Sequence, residues 1–248
     1  MRPGVVLAGL VLVGCSLSPL QNRIKPGEEP FVVLAGTGTD GHVDLYATLP
    51  GGGDIHQLTF TAMVESSPRL SARGDVLAFL RHGEGSARSD GELVVMNLLN
   101  GAERRLDLPP AAGTLTGLGW SDDERTLYVR TSTGAWRVAA PPLPPEPRPV
   151  TDAERAAADS ALMTLLGTPR FASAAPCDSG GVCITGADGT PRRVDPDGRA
   201  PFRWGSDSVA WLVGDRVAIR PLGPGPVRRL DPDLTRISGI TGASYASP

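Results

Sequence analysis

Lysine is nearly missing from this 248-residue chain: Lys25 is the single ε-ammonium among 24 basic residues, so its cationic surface is guanidinium. That bias reads as genomic base composition before it reads as a task. With 27 acidic residues the net charge is -3, which gives no overall field to gather nucleic acid. Histidine is scarce too, and His42, His56 and His82 have no metal-ligand spacing. No apolar run approaches the roughly 20 residues that a membrane-spanning helix needs. Convincing helical periodicity is rare. What is abundant is glycine, at 31, and proline, at 24, the composition of many short strands joined by tight turns, in a chain long enough to bury a full core.

The N-terminus carries Met1-Arg2 and then a short apolar run, Val5 to Val13, the pattern of a signal peptide over residues 1–14. Leu12-Val13-Gly14-Cys15 resembles the lipobox of bacterial lipoproteins. The resemblance implies cleavage before Cys15, a diacylglyceryl thioether on its thiol, and acylation of its freed amine. One acyl chain holds a protein only marginally, whereas the implied three make attachment permanent. Ser16 follows the cysteine where inner-membrane retention favours Asp, so the expected address is the outer membrane of the cell envelope, on either side of it. Residues 15–30 have no hydrophobic period and read as a flexible tether of at most ~50 Å, with folding from Phe31 to Pro248.

Within that region one motif recurs five times: His56-Gln57-Leu58-Thr59, Arg104-Arg105-Leu106-Asp107, Arg148-Pro149-Val150-Thr151, Arg192-Arg193-Val194-Asp195 and Arg228-Arg229-Leu230-Asp231. Its apolar positions, Leu58, Leu106, Val150, Val194 and Leu230, are spaced by 48, 44, 44 and 36 residues, near the period of a four-stranded propeller blade. Continuous apolar runs at Val76 to Leu80, Leu93 to Met96, Leu127 to Val129 and Val209 to Val213 suit strands covered on both faces. Arg pairs and a proline in the motif suit exposed edges, where they discourage pairing with other molecules.

Gln57-Leu58-Thr59, then Glu65-Ser66-Ser67-Pro68-Arg69-Leu70-Ser71, then Gly74-Asp75-Val76 onward resembles the repeat of TolB-like β-propellers. Gly119-Trp120-Ser121-Asp122-Asp123 with Arg125 to Val129 is the same unit again, and Glu92 to Met96 with Asn100-Gly101 matches the next strand and turn. The expected fold is therefore all-β: a propeller of about five four-stranded blades. The first blade lacks an inner strand and Ile237 to Ala246 lacks partners, so pairing of the two ends is expected to close the ring. Two segments depart from the pattern. Ala140 to Pro149 is too proline-rich for a regular outer strand, and Thr151 to Leu166 reads as a short helix capped by Thr151 and Glu154, replacing or preceding the inner strand of the fourth blade.

Chemistry-bearing motifs are few. Cys177 and Cys183, separated by Asp-Ser-Gly-Gly-Val, are expected to form a disulfide across a hairpin, contributing about 2 kcal/mol, with two buried thiols as the alternative. Asp178-Ser179-Gly180-Gly181 resembles part of a trypsin-type nucleophile loop but lacks the flanking Gly and Pro and any histidine in that family's context. Gly242-Ala243-Ser244 lacks the last glycine of a nucleophile elbow. Asp195-Pro196-Asp197-Gly198 has two carboxylates of a calcium loop without the rest, which makes a turn. No cofactor or metal is expected.

The expected function is a non-enzymatic, membrane-anchored lipoprotein whose propeller is a platform for another envelope protein. The alternative is an enzyme or carbohydrate-binding module at the channel mouth. Arg69 and Arg203 each precede an inner-strand residue, Leu70 and Trp204, so strand alternation turns them toward the channel as a basic pair for a partner's carboxylate. Ion pairing with a blade-turn Asp is the other role open to them.

Overall fold

The computed structural model describes residues 19–20, 23–85, 91–140, 146–163, 173–185, 189–204, 208–214, 216–221, 225–230 and 236–246. Cys15, the lipobox and the apolar run before it lie outside the described residues.

The chain forms antiparallel sheets in sequence order. The first contains β1 (Phe31–Gly38), β2 (Val43–Thr48) and β3 (His56–Gln57); the second β4 (Val64–Leu70), β5 (Val76–His82), β6 (Glu92–Asn97) and β7 (Glu103–Leu106). The third contains β8 (Leu115–Trp120), β9 (Thr126–Thr131), β10 (Gly134–Ala139) and β11 (Arg148–Pro149), followed by helix α1 (Arg155–Met163). A fourth sheet has β12 (Ser173–Pro176), β13 (Val182–Thr185) and β14 (Pro191–Asp195); the fifth has β15 (Arg199–Trp204), β16 (Ser208–Val213), β17 (Arg216–Pro221) and β18 (Arg228–Leu230). The last strand, β19 (Ile237–Ala246), returns to pair with β1, from Phe31 opposite Ala246 to Gly38 opposite Ile237. The first sheet is thereby β19-β1-β2-β3, and chain ends are joined as expected.

The reason the middle strands are apolar at every position is visible in the packing. Along β1, Phe31 and Val33 enter a core shared with Leu77 and Phe79 of the second sheet, whereas Val32 and Leu34 enter one shared with Phe202 and Ala210 of the fifth. In β5 the same alternation sends Leu77 and Phe79 one way and Ala78 and Leu80 toward Leu118 and Val129 of the third sheet. In β16, Ala210 and Leu212 face the first sheet while Val209 and Trp211 face Val182 of the fourth. A strand with period two and a core on each side needs apolar residues at both phases. Burying each such side chain contributes about 1.5–3 kcal/mol. The sheets are stacked face to face in a propeller arrangement, with β19, β4, β8, β12 and β15 innermost.

Each of the five outer motifs overlaps an edge strand, β3, β7, β11, β14 or β18. Arg104, Arg105, Arg192, Arg193, Arg228 and Arg229 are exposed there.

The fourth sheet has three strands among the described residues, not four. The helix precedes the fourth sheet's inner strand, β12, in the chain, one of the two expected placements, and packs on β8 and β9 of the third sheet. The expected capping box of Thr151 and Glu154 opens a 3-10 turn over Asp152–Glu154 that leads into the helix. Glu154 accepts bonds from the Thr151 amide and hydroxyl and from Arg148 and Arg137, which together hold its carboxyl down to about 2, Arg148 contributing most.

Finally, packing begins upstream of Phe31. Leu20 and Ile24, within the stretch 15–30 expected to be a tether, are fully buried in the core shared by the first two sheets. Of the first outer motif, His56 to Thr59, only His56–Gln57 pair as strand. The Thr59 hydroxyl instead accepts the Leu45 amide at 2.9 Å and donates to a carboxylate, Asp44 at 3.1 Å or Glu65 at 3.4 Å.

Candidate functional site: the central channel

Inner strands in this fold do not run straight. Opposite β5, Ser67 and Pro68 of β4 stand against one residue, because Ser66 pairs with Leu80 and Arg69 with Ala78. Opposite β16, Ala200 and Pro201 of β15 stand against one, and opposite β9, Thr116 of β8 is the extra residue. In β19 the register with β1 shifts between Ser238 and Gly242. A bulge turns an inner strand's backbone and side chains out of the ladder and toward the axis.

Ser67 and Ala200, each immediately before a proline, take φ of 57° and 48°. For residues with a Cβ this left-handed geometry costs on the order of 1–3 kcal/mol, and such strain gathers at functional sites.

The bulges surround a cavity of about 530 Å³, lined by residues of all five inner strands, among them Ser67, Arg69, Thr116, Pro176, Ala200 and Thr241. Apolar walls come from Leu80, Leu115, Leu118 and Phe202. Among the described lining residues the charge is one guanidinium, that of Arg69, with three hydroxyls beside it. A second cavity of about 190 Å³ lies at the C-terminal ends of the same strands, where Arg69 meets Trp120, Asp122 and Tyr245.

Arg69 lines the larger cavity and also ties inner strands together. Its Nε donates to the Leu118 carbonyl of β8 at 3.3 Å and a terminal nitrogen to the Pro68 carbonyl at 2.8 Å. Trp120 Nε1 returns a bond to the Arg69 carbonyl at 2.9 Å. Other seams are stapled alike: the Leu70 amide donates to Ser244 Oγ of β19, and Arg199 donates to the Ile240 carbonyl. Arg203 occupies the corresponding place on β15, paired with Val209, and its side chain lies outside the described residues. The neighbours that orient the pair, Leu70 and Trp204, are buried between sheets.

Helix α1 closes in on the smaller cavity through Ala161 and Leu162. It fits because Gly119 has no side chain: a Cβ there would overlap the Ala161 carbonyl oxygen and lie 2.6 Å from its carbon. Gly119→Ala is expected to lift the helix from β8 at a cost of about 1–3 kcal/mol, the range for overpacking. Hydrogen exchange should show protection lost over 155–163 and kept in β9; uniform loss through the third sheet would contradict this.

Cys177 and Cys183 are bonded, Cα atoms 5.2 Å apart, across the hairpin between β12 and β13. Ser179 sits in its turn and accepts a bond from Arg193, and Asp195 is engaged by the Trp211 indole at 2.7 Å and by the Asp197 amide at 2.9 Å. Among the described residues no three metal-ligating side chains converge, and no helix is long and apolar enough to cross a membrane.

No protein-family model and no curated protein matches this chain. Solved structures do. TolB from Acinetobacter baumannii is similar at 12% identity and a TM-score of 0.41, over 84% of this chain and 54% of that one. A putative TolB from Agrobacterium tumefaciens is similar at 17% and 0.39, over 86% and 66%, and the tricorn protease at 14% and 0.41, over 81% and 22%. This chain spans less than two thirds of the length of each.

Proposed function

We propose that the protein is a non-enzymatic lipoprotein of the bacterial envelope, anchored through acylated Cys15 in the outer membrane, whose five sheets act as five propeller blades around a channel that receives a segment of a protein partner. The observation that carries the reading is the cavity itself. Five inner strands, four of them bulged, converge on it with apolar walls, hydroxyls and one guanidinium, which suits an extended backbone or a carboxylate terminus. Resemblance of Gln57 to Phe79 to the TolB-like repeat supports a protein as occupant, and the Leu12 to Cys15 lipobox supports the anchor.

Thr116 and Thr241 line the cavity and are exposed, so Thr116→Phe and Thr241→Phe fill it without removing any of the bonds between inner strands described above. Detergent-solubilised wild type should retain an envelope partner that both variants lose, with melting unchanged. Cys15→Ser should accumulate as a precursor that takes up no labelled palmitate. Equal recovery of the partner by the filled variants would remove the channel from the proposal, and a labelled Cys15→Ser protein would remove the anchor.

A further inference from the structure

Away from the channel, three distant stretches of sequence bring basic side chains to one cleft of about 310 Å³: Arg23 before β1, His56 on β3 and Arg236 before β19, with Pro19 and Phe60 at its sides. Each is held in place. Arg23 closes a turn, its amide bonded to the Leu20 carbonyl at 2.9 Å, between the fully buried Leu20 and Ile24. Arg236 precedes the buried Ile237 and donates to the Ile55 carbonyl at 3.0 Å. Among the described residues neither guanidinium forms an ion pair.

Their charges converge on His56. Its pKa lies below the ordinary imidazole value, first because burial disfavours the cation and next because Arg23 and Arg236 repel it, against the opposing pull of Asp54. Two guanidiniums near a neutral imidazole are an anion site, and guanidinium geometry suits phosphate oxygens.

Phe60 narrows the choice of anion. It is 74% exposed, yet it stands between Thr59, fixed to Asp44 and the Leu45 amide, and Thr61, bonded to Glu65 at 2.6 Å. A ring held in water by anchored neighbours is suited to an apolar phase beside the phosphate. Pro19, at the cleft wall, is four residues from Cys15, at most about 14 Å of extended chain.

We propose that the cleft formed by Arg23, His56 and Arg236, with Phe60 at its rim, binds the phosphate of an anionic phospholipid head group. The choice of lipid over free phosphate draws on the anchored reading of Cys15, but the site itself does not. Bound phosphate would offset the two arginines and raise the pKa of His56.

The test titrates detergent-solubilised full-length protein with monomeric dihexanoyl phosphatidylglycerol, with dihexanoyl phosphatidylcholine, and with inorganic phosphate, following the His56 ring by NMR. Saturable binding of the anionic lipid is expected with an upward shift of the His56 pKa. Arg23→Gln, which leaves the Arg236 bond intact, should weaken that binding about tenfold, the loss of one charge-assisted hydrogen bond. Phe60→Ser should weaken the lipid and leave inorganic phosphate unchanged. Absence of a saturable shift, equal binding of the neutral lipid, or response to inorganic phosphate alone would overturn the proposal. The titration is read whether or not Cys15 is acylated, so failure of the anchor and failure of the site are separable.

Discussion

A chain lacking Ile237 to Pro248 is expected to lose cooperative unfolding altogether. β19 pairs with β1 over almost its full length, and its removal strips the first sheet of its inner strand. Ile237, Ile240, Ala243 and Ala246 leave the core, and Val32, Leu34, Phe202 and Trp204 lose the surface they pack on. Two buried isoleucines and their cavity are worth roughly 5 kcal/mol or more, and the exposed β1 ladder adds to this, against a total stability of about 5–15 kcal/mol for a domain. The Leu70 amide and Arg199 also lose their partners on β19. Thermal melts followed by circular dichroism and by tryptophan fluorescence should broaden and cease to coincide; a truncated protein melting as sharply at the same temperature would refute the closure.

The second large effect is expected at Arg81. Glu65 of β4 is fully buried, and its carboxylate meets the Thr61 hydroxyl, the Arg81 Nε at 2.9 Å and, through the Thr59 hydroxyl, Asp44. Burial pushes its pKa up to about 7 in spite of the bonds from Thr61 and Arg81, which pull it down. Arg81 is held cationic chiefly by Glu103, which it grips with both terminal nitrogens at 2.7 and 2.9 Å.

Between the unfolded value near 4.3 and about 7, the native state keeps a proton that the unfolded chain has released. The stabilisation from Glu65 is therefore full below the unfolded pKa and is lost as pH rises through the folded one. Arg81→Ala removes the cation that opposes this, so the folded pKa climbs further and the loss deepens. At pH 5 the variant should be about 1 kcal/mol less stable, from the half-exposed Glu103 pair and the guanidinium 5.2 Å above the Phe79 ring. At pH 8 the deficit should reach about 3 kcal/mol, the cost of leaving a buried carboxylate without its partner. Urea midpoints measured across that range decide it: parallel profiles for wild type and variant would show that Glu65 is not the group involved.

Much of this architecture was legible in the chain because its signals are local. The outer motif marks the edge strand of each sheet, and in four of its five copies an Arg pair or a proline suits a strand with one open side. The apolar runs name the strands with a core on each side. Ile237 to Ala246 could be assigned to the first sheet because an inner strand was missing there, and Thr151 with Glu154 marked a helix start within four residues.

What was not legible depends on pairing partners. A bulge at Ser67, Thr116 or Ala200 is defined only against the opposite strand, although Ser67-Pro68 and Ala200-Pro201 carry a shared dipeptide pattern that hints at it. Leu20 and Ile24 sit in a polar, proline-bearing stretch without period, so nothing local showed that they bury. The Arg23, His56 and Arg236 cleft assembles residues from three ends of the map. Glu65 reads as an ordinary polar position on an alternating strand, and only the Thr59 and Thr61 hydroxyls of the preceding turn together with Arg81 of β5 satisfy it in the core.

Joining β1 to β19 has a consequence in time as well as in structure. Phe31 and Ala246 are partners across about 200 residues, so the first sheet is the slowest contact the chain can make. Synthesis delivers β1 first and β19 last. Until β19 emerges, β1 presents an edge reading Phe-Val-Val-Leu-Ala-Gly with no neighbour on one side, a segment prone to pair with another chain. The completed ring hides its own aggregation hazard, and the interval before closure is when a holding chaperone would matter most.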